Sequence, residues 1–316
     1  MKSKISLIAF FILITSCSIQ YKTSESFKMN FNDVDNFWKV YDKTNLENSD
    51  DERIKIIEEE YFGQVSNGLK ILIKLDKLTP SSFNNFIKDT LFFNSIRETT
   101  LKIKEDSSKI RNHIKSVEKL YPKARFSDVY FVIGQNFHGG TVRNGKMIIE
   151  VQKNAKTEKT KSEIIYNNGF KGMNDYNSLI PLVIHEQIHI LQKKGNSNEL
   201  LSAAISEGGA DFVMFLVTNQ FPSFIRTTYE YGEKNEFKLW KKFQQDLEKD
   251  YNSIRKDWFY NYRRKDIHPD LGYFIGFKIC EKFYNESTNK KEALEFLLNI
   301  ANSKELLEKS KYNGGK

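Results

Sequence analysis

The order of two hydrophobic patterns along the chain is the feature that most restricts its fold. From about residue 31 to 120, apolar residues recur at spacings of three and four, which predicts amphipathic helices. Between 128 and 151 the pattern changes to β-branched and aromatic runs around Asn144-Gly145, a dipeptide typical of tight hairpins. Helical spacing returns from about 177. Because helices and strands are segregated, the sequence predicts a mostly helical α+β fold with a small antiparallel β-sheet.

The first 17 residues have the pattern of a secreted lipoprotein. Lys2 and Lys4 precede an apolar run of about ten residues, which is shorter than the roughly 20 that a membrane-spanning helix needs. The run ends in Ile14-Thr15-Ser16-Cys17, which resembles the lipobox of bacterial lipoproteins. That resemblance implies cleavage before Cys17, a lipid such as palmitate on its thiol, and anchoring to a membrane of the bacterial envelope, facing the periplasm or the exterior. The alternative is a chance cysteine after an ordinary secretory segment.

Cysteine content and charge argue against two other classes, disulfide-stabilised proteins and nucleic-acid-binding proteins. The chain has two cysteines, so lipidation of Cys17 leaves Cys280 without a disulfide partner, and we expect it to be a small buried hydrophobe. The formal net charge of +8 is spread over lysines that alternate with acidic residues. This pattern is typical of a solvated surface, and we expect no nucleic-acid partner.

Changes of pattern divide the chain into five regions. The last three are expected to pack together as one unit. The regions are a signal peptide (1–16), a lipidated cysteine with a polar tether (17–30), an N-terminal helical region (31–124), a region with the hairpin and a metal-binding helix (125–220), and a C-terminal helical region (221–316).

The sequence His185-Glu186-Gln187-Ile188-His189 lies within an apolar helical pattern and points to a metal ion. Residues four apart share one face of a helix, so His185 and His189 can bind the same Zn²⁺. Glu186 between them is placed to take a proton from a metal-bound water. This is the H-E-x-x-H pattern of zinc peptidases. The alternative is an accidental pair of histidines on the polar face of a helix.

A second cluster supplies a third ligand and its support. Glu207 follows His189 by 18 positions, enough for a second helix to return antiparallel to the first. The small residues Gly208 and Gly209 after it predict close packing of these two helices at the metal. Asp211 lies four residues beyond Glu207 and can accept a hydrogen bond from a ligand histidine. The alternative is a helix start with a fortuitous glutamate.

Together these motifs resemble the gluzincin clan of zinc peptidases, the thermolysin-like group. The resemblance implies a zincin-like metallopeptidase domain with the sheet beside the metal-binding helix. It also implies that His185, His189 and Glu207 bind one Zn²⁺, Glu186 is the general base and Asp211 supports the first histidine. Over about residues 31–295 the chain also resembles a poorly characterised bacterial family of predicted zinc-dependent proteases.

Other residues are assigned on weaker grounds. The hairpin around Gly139, Gly140 and Thr141 is expected to bind a peptide backbone, because the glycines allow close approach. Tyr273 or His268 is expected to stabilise the oxyanion of the reaction, although a core aromatic is the alternative for Tyr273. His138, in the loop before the hairpin, is a weaker candidate for the same role.

Two functions follow from these patterns. The first is an envelope-anchored zinc peptidase that hydrolyses a peptide or protein substrate through zinc-bound water. The alternative is a catalytically silent or weak lipoprotein of the same fold that acts as a binding or assembly component of the envelope, because ligands can persist where turnover does not.

Overall fold

The N-terminal part of the chain is helical, as its apolar spacing predicts. The computed structural model describes residues 21–161, 172–195 and 199–315, so the predicted signal peptide and Cys17 lie outside the described residues. Before residue 121 the described chain forms α1 (Asn32–Thr44), α2 (Asp50–Ile56), α3 (Asn67–Asp76), α4 (Pro80–Ile87), α5 (Thr90–Lys102) and α6 (Ser107–Leu120). A π-helical turn (Ile57–Tyr61) follows α2 directly. The side chain of Thr79 caps the start of α4, and Pro80 is its first residue.

Four short strands form a mixed sheet rather than the predicted antiparallel one. They are β1 (Met29–Asn30), β2 (Asp128–Val132), β3 (Gly140–Arg143) and β4 (Lys146–Glu150), in the order β1-β2-β4-β3. The hairpin of β3 and β4 is antiparallel, but β2 pairs with β4 in parallel. The reason lies in β4, which is buried from Met147 to Glu150 and therefore takes a central position. The less buried β3 becomes the edge strand.

The turn between β3 and β4 has the conformation that its sequence predicts. Asn144 and Gly145 both have positive φ, 51° and 67°. Two successive residues of this kind form the turn that matches the twist of a two-residue hairpin. The hairpin prediction is therefore confirmed.

The segment before α1 is folded, although its sequence suggests a tether. The backbone of Lys22 exchanges hydrogen bonds with Phe126, and β1 pairs with β2. Phe27 is buried, with the guanidinium of Arg111 above its ring at 4.5 Å from the centroid. One buried ring in a polar segment creates no periodic pattern, so the sequence gives little sign of this packing.

The rest of the described chain is helical. It forms α7 (Leu179–Leu191), α8 (Leu200–Thr218), α9 (Ser223–Asp246), α10 (Tyr251–Trp258), α11 (Leu271–Glu286), α12 (Lys290–Leu297) and α13 (Ser303–Ser310). A continuous hydrophobic core runs from Phe27 to Tyr312 and includes side chains of the N-terminal helices, the sheet and the C-terminal helices.

Helix α8 is the central helix of this second half. Its length and composition would suit a membrane span, but 67% of its apolar window is buried inside the fold, as expected of a core helix. The sequence predicts that Gly208 packs against α7, but in the structure it faces α11. A Cβ on Gly208 would lie 2.1 Å from the backbone nitrogen of Phe277 in α11, and one on Gly276 would lie 1.7 Å from the carbonyl oxygen of Ala204 in α8. The close packing therefore joins α8 to α11.

Candidate metal centre

Helix α7 is fixed against the sheet by a buried glutamine. The side chain of Gln187 accepts a hydrogen bond from the backbone nitrogen of Ser127 (3.0 Å) and donates one to its carbonyl oxygen (2.9 Å). Val183, Ile184 and Ile188 are fully buried on the same helix. These contacts set the rotation of α7, so that His185 and His189 face α8.

The three predicted ligands lie together. Nε2 of His185 lies 2.9 Å from Nε2 of His189, and Oε2 of Glu207 lies 3.6 Å and 3.3 Å from these two atoms. Two atoms that each lie about 2.0–2.2 Å from one tetrahedral ion are separated by about 3.3–3.6 Å, which both distances to Glu207 match, whereas the two Nε2 atoms lie closer together. The donor set and its spacing therefore fit one metal ion.

The remaining ring nitrogens have acceptors that leave Nε2 available. Nδ1 of His185 donates to Asp211 (2.8 Å), whose other oxygen accepts from the hydroxyl of Tyr229 (2.8 Å). Nδ1 of His189 donates to Gln192 at 2.8 Å. With a proton on each Nδ1, two Nε2 lone pairs face each other, and a cation between them removes the repulsion.

The histidines and the glutamate of the site shift each other's pKa values. Burial opposes protonation of His185, but Asp211 and Glu207 outweigh it and raise the pKa of its ring above the usual range. Burial would raise the pKa of Glu207, yet the neighbouring histidines hold it well below its ordinary value. Glu207 is therefore ionised, and its negative charge stabilises positive charge at the two histidine rings.

The other predicted residues are only partly gathered here. Glu186 contacts the edge strand: a Cβ on Gly140 would lie 3.1 Å from its Cγ. The ring of Tyr273 stacks on His185 with centroids 6.4 Å apart, so it borders the site. His268 instead stacks on Tyr231, and its Nδ1 contacts the carbonyl oxygen of Pro269.

His138, in the loop before β3, makes different contacts from those expected of an oxyanion-stabilising residue. His138 makes an ion pair with Asp76 at 2.8 Å. Gly139 has a φ of +83°, a conformation that favours glycine, and Thr141 pairs with Ile148 within the hairpin. β3 is an edge strand of the sheet and lies beside α7, whereas His138 contacts Asp76 and Glu150. Binding of a peptide backbone by Gly139, Gly140 and Thr141 stays a prediction.

Some residues of the site are missed by sequence reasoning. The hydroxyl of Tyr260 donates to Oε1 of Glu207 at 3.0 Å, and Tyr229 supports Asp211 as described above. Both tyrosines lie outside any motif. Gln192, three residues after His189, is the one contact that helical spacing indicates.

A cleft of about 710 Å³ opens beside His189 and Glu207. Its wall carries the cationic side chains of Lys193 and Arg255, together with the ring of Tyr251. The ring of Tyr260 lines the same cleft, and the guanidinium of Arg255 lies 5.1 Å from its centroid. The cleft is thus open to solvent, aromatic and positively charged.

Fold and site define an α+β protein with a partly buried His-His-Glu cluster beside an open cleft. The sequence model of the family described as gliding motility protein GldB, a lipoprotein family, matches residues 18–314. The chain therefore belongs to the GldB family, and it is a lipid-anchored component of the cell envelope. No curated protein and no solved structure matches the chain.

This family corrects two predictions of the sequence analysis. The resemblance to gluzincin and other zinc-dependent proteases is wrong, because the matching family is that of a gliding motility lipoprotein. The prediction of a zinc metallopeptidase is wrong for the same reason. The alternative, a non-catalytic envelope component, agrees with the family. A five-residue motif specifies two ligands on one helix face, which many metal-binding proteins need without hydrolysing peptides.

Proposed function

We propose that this lipoprotein serves gliding motility as a membrane-tethered binding component, and that a metal ion organises its binding cleft. The observation that carries the proposal is the family match over residues 18–314, which covers the whole described fold. A binding component of this kind acts by attaching a partner to the membrane, so its lipid anchor and its binding cleft are the parts to test.

The anchor is Cys17. It ends an apolar segment with the features of a signal peptide, and the family match begins at the next residue. Lipid on this cysteine attaches the folded part to the membrane.

The metal is one Zn²⁺ held by His185, His189 and Glu207. Support comes from the spacing of their ligand atoms and from the acceptors Asp211 and Gln192 on the two Nδ1 nitrogens. Such acceptors fix the orientation of histidine ligands and raise their basicity. When bound, the ion supplies positive charge and one open coordination position.

The partner we propose is a protein segment that presents a carboxylate to this cleft. Lys193 and Arg255 line the cleft and favour a negatively charged group, and Tyr251 and Tyr260 offer aromatic surface beside it. Aromatic and arginine side chains are the residues that most often dominate protein interfaces.

Complementation of a deletion strain tests the proposal. Wild-type protein should restore spreading of colonies, whereas Cys17→Ser should fractionate away from membranes and fail to restore it. The double variant His185→Ala/His189→Ala should lose the zinc bound at this site, one equivalent fewer than wild type, and restore spreading poorly.

Glu186→Gln is the matched control for the metal site. It changes the residue next to His185 without removing a proposed ligand, so it should keep zinc and restore spreading fully. A deletion strain that glides normally would refute the proposed role, and loss of spreading in Glu186→Gln with zinc retained would contradict the non-catalytic use of the site.

A further inference from the structure

A second group of metal-ligating side chains lies outside the site described above. It consists of Asp76 at the end of α3, His138 in the loop before β3, and Glu150 at the end of β4. Each offers one ligand atom, and these atoms all lie within 4.8 Å of one another. Nε2 of His138 lies 2.8 Å from Oδ1 of Asp76.

An unpartnered carboxylate oxygen points to a missing ligand in this group. The side chain of Asp76 is only 3% exposed, and its Oδ2 has no hydrogen-bond partner among the described residues. Burying a charged oxygen without a hydrogen-bond partner costs free energy, because its interactions with water are lost and not replaced. Such an atom is expected where a cation completes the environment.

Glu150 adds a second buried carboxylate. It is 1% exposed, and its oxygens accept hydrogen bonds from the backbone nitrogen of His138 (2.6 Å) and from Gln152 (2.9 Å). Burial raises its pKa, and the neighbouring Asp76 raises it further, while His138 lowers it. While both are ionised, two carboxylates removed from water repel each other, and a cation between them relieves that repulsion.

We propose that Asp76, His138 and Glu150 bind a second divalent transition-metal ion, of the class of Zn²⁺ or Mn²⁺. One imidazole nitrogen with two carboxylates suits these ions, since imidazole favours zinc and carboxylates favour manganese. The assignment does not depend on the proposed function or on the first metal site.

This ion would join three parts of the fold that are distant in sequence. His138 lies 62 positions after Asp76, and Glu150 a further 12. The ion would tie α3 to the sheet and fix the loop that leads into Gly140, which contacts Glu186. Because the ligands come together only in the folded chain, binding stabilises the fold.

Metal content of the full-length protein tests the proposal in a background without the first site. His185→Ala/His189→Ala, stripped with chelator, reloaded with Zn²⁺ or Mn²⁺ and desalted, should retain one equivalent of one of these metals. Its melting temperature should fall when chelator is added. A variant that retains neither metal and melts at the same temperature with chelator would overturn the proposal.

Asp76→Asn identifies the ligands. It keeps the size of the side chain and should bind one equivalent of metal fewer than wild-type protein, with an unchanged circular dichroism spectrum. Asn84→Asp, which adds a buried carboxylate elsewhere in the N-terminal half, is the control and should bind as much metal as wild type. If Asp76→Asn folds and binds as much metal as wild type, the assignment is refuted. If it does not fold, the double variant decides the question alone.

Discussion

Replacing Gly208 by alanine should separate two helices that touch through their backbones. The added Cβ would lie 2.1 Å from the backbone nitrogen of Phe277 and 2.4 Å from the carbonyl oxygen of Tyr273. To reach ordinary contact distances, α8 and α11 must move apart by about 1 Å or more. Overpacking of this kind costs about 3 kcal/mol, and the better helix propensity of alanine returns about 1 kcal/mol. The expected net loss in the free energy of unfolding is about 2 kcal/mol.

Gly209→Ala is the matched control, one residue further along the same helix. Its Cβ would lie 3.4 Å from Sγ of Cys280, an ordinary contact, so the variant should gain up to about 1 kcal/mol from helix propensity. Urea unfolding followed by circular dichroism measures both variants, and thermal unfolding should place Gly208→Ala about 4 °C below wild type, at about 2 °C per kcal/mol. Equal changes in stability for the two alanine variants would show that the contact with α11 does not explain Gly208.

Three further outcomes follow from single side chains. Asp211→Asn should weaken metal binding by about 10–100-fold in chelator competition, because it loses the charged acceptor for His185, whereas unchanged affinity would contradict its supporting role. Burial raises the pKa of Asp246, but hydrogen bonds from Lys249 and Trp258 outweigh burial and lower the pKa below its ordinary value. The ionised carboxylate therefore stabilises the fold above about pH 4, and this contribution is lost as the pH falls through the folded-state pKa. Asp246→Asn should therefore unfold about 2 kcal/mol more easily at pH 7, with a smaller difference from wild type at pH 3, and a constant difference would count against this reasoning. Cys280 is fully buried and its pKa is raised by burial, so its thiol should react with a disulfide reagent only after unfolding, and rapid labelling of the native protein would contradict its place in the core.

Local patterns in the sequence predicted the parts of the fold that depend on neighbouring residues. The helices before residue 121 follow from apolar spacing, and the hairpin follows from Asn144-Gly145, because each signal lies within the element it forms. The His-His-Glu cluster also follows from spacing, since His185 and His189 share one helix face and Glu207 lies on the next helix.

Contacts between distant segments were not predictable in the same way. The parallel pairing of β2 with β4 depends on which strand is buried on both faces, and the partner of Gly208 lies in α11, more than 60 residues later in the chain. Tyr229 and Tyr260 join the site from helices and turns without a motif. The peptidase prediction failed for a different reason: the motif determines which atoms meet a metal, and not whether a reaction follows.

The hydrogen bonds between Lys22 and Phe126 limit how far this protein reaches from the membrane. With the lipid on Cys17, five peptide units separate the anchor from the first residue that the fold holds, and an extended chain spans at most about 3.6 Å per residue. Lys22 is therefore held within about 18 Å of the lipid headgroups, roughly half the thickness of a bilayer. The fold thus begins close to the membrane, and the distance that the protein reaches from the lipid is set by the size of the folded part and not by a long linker.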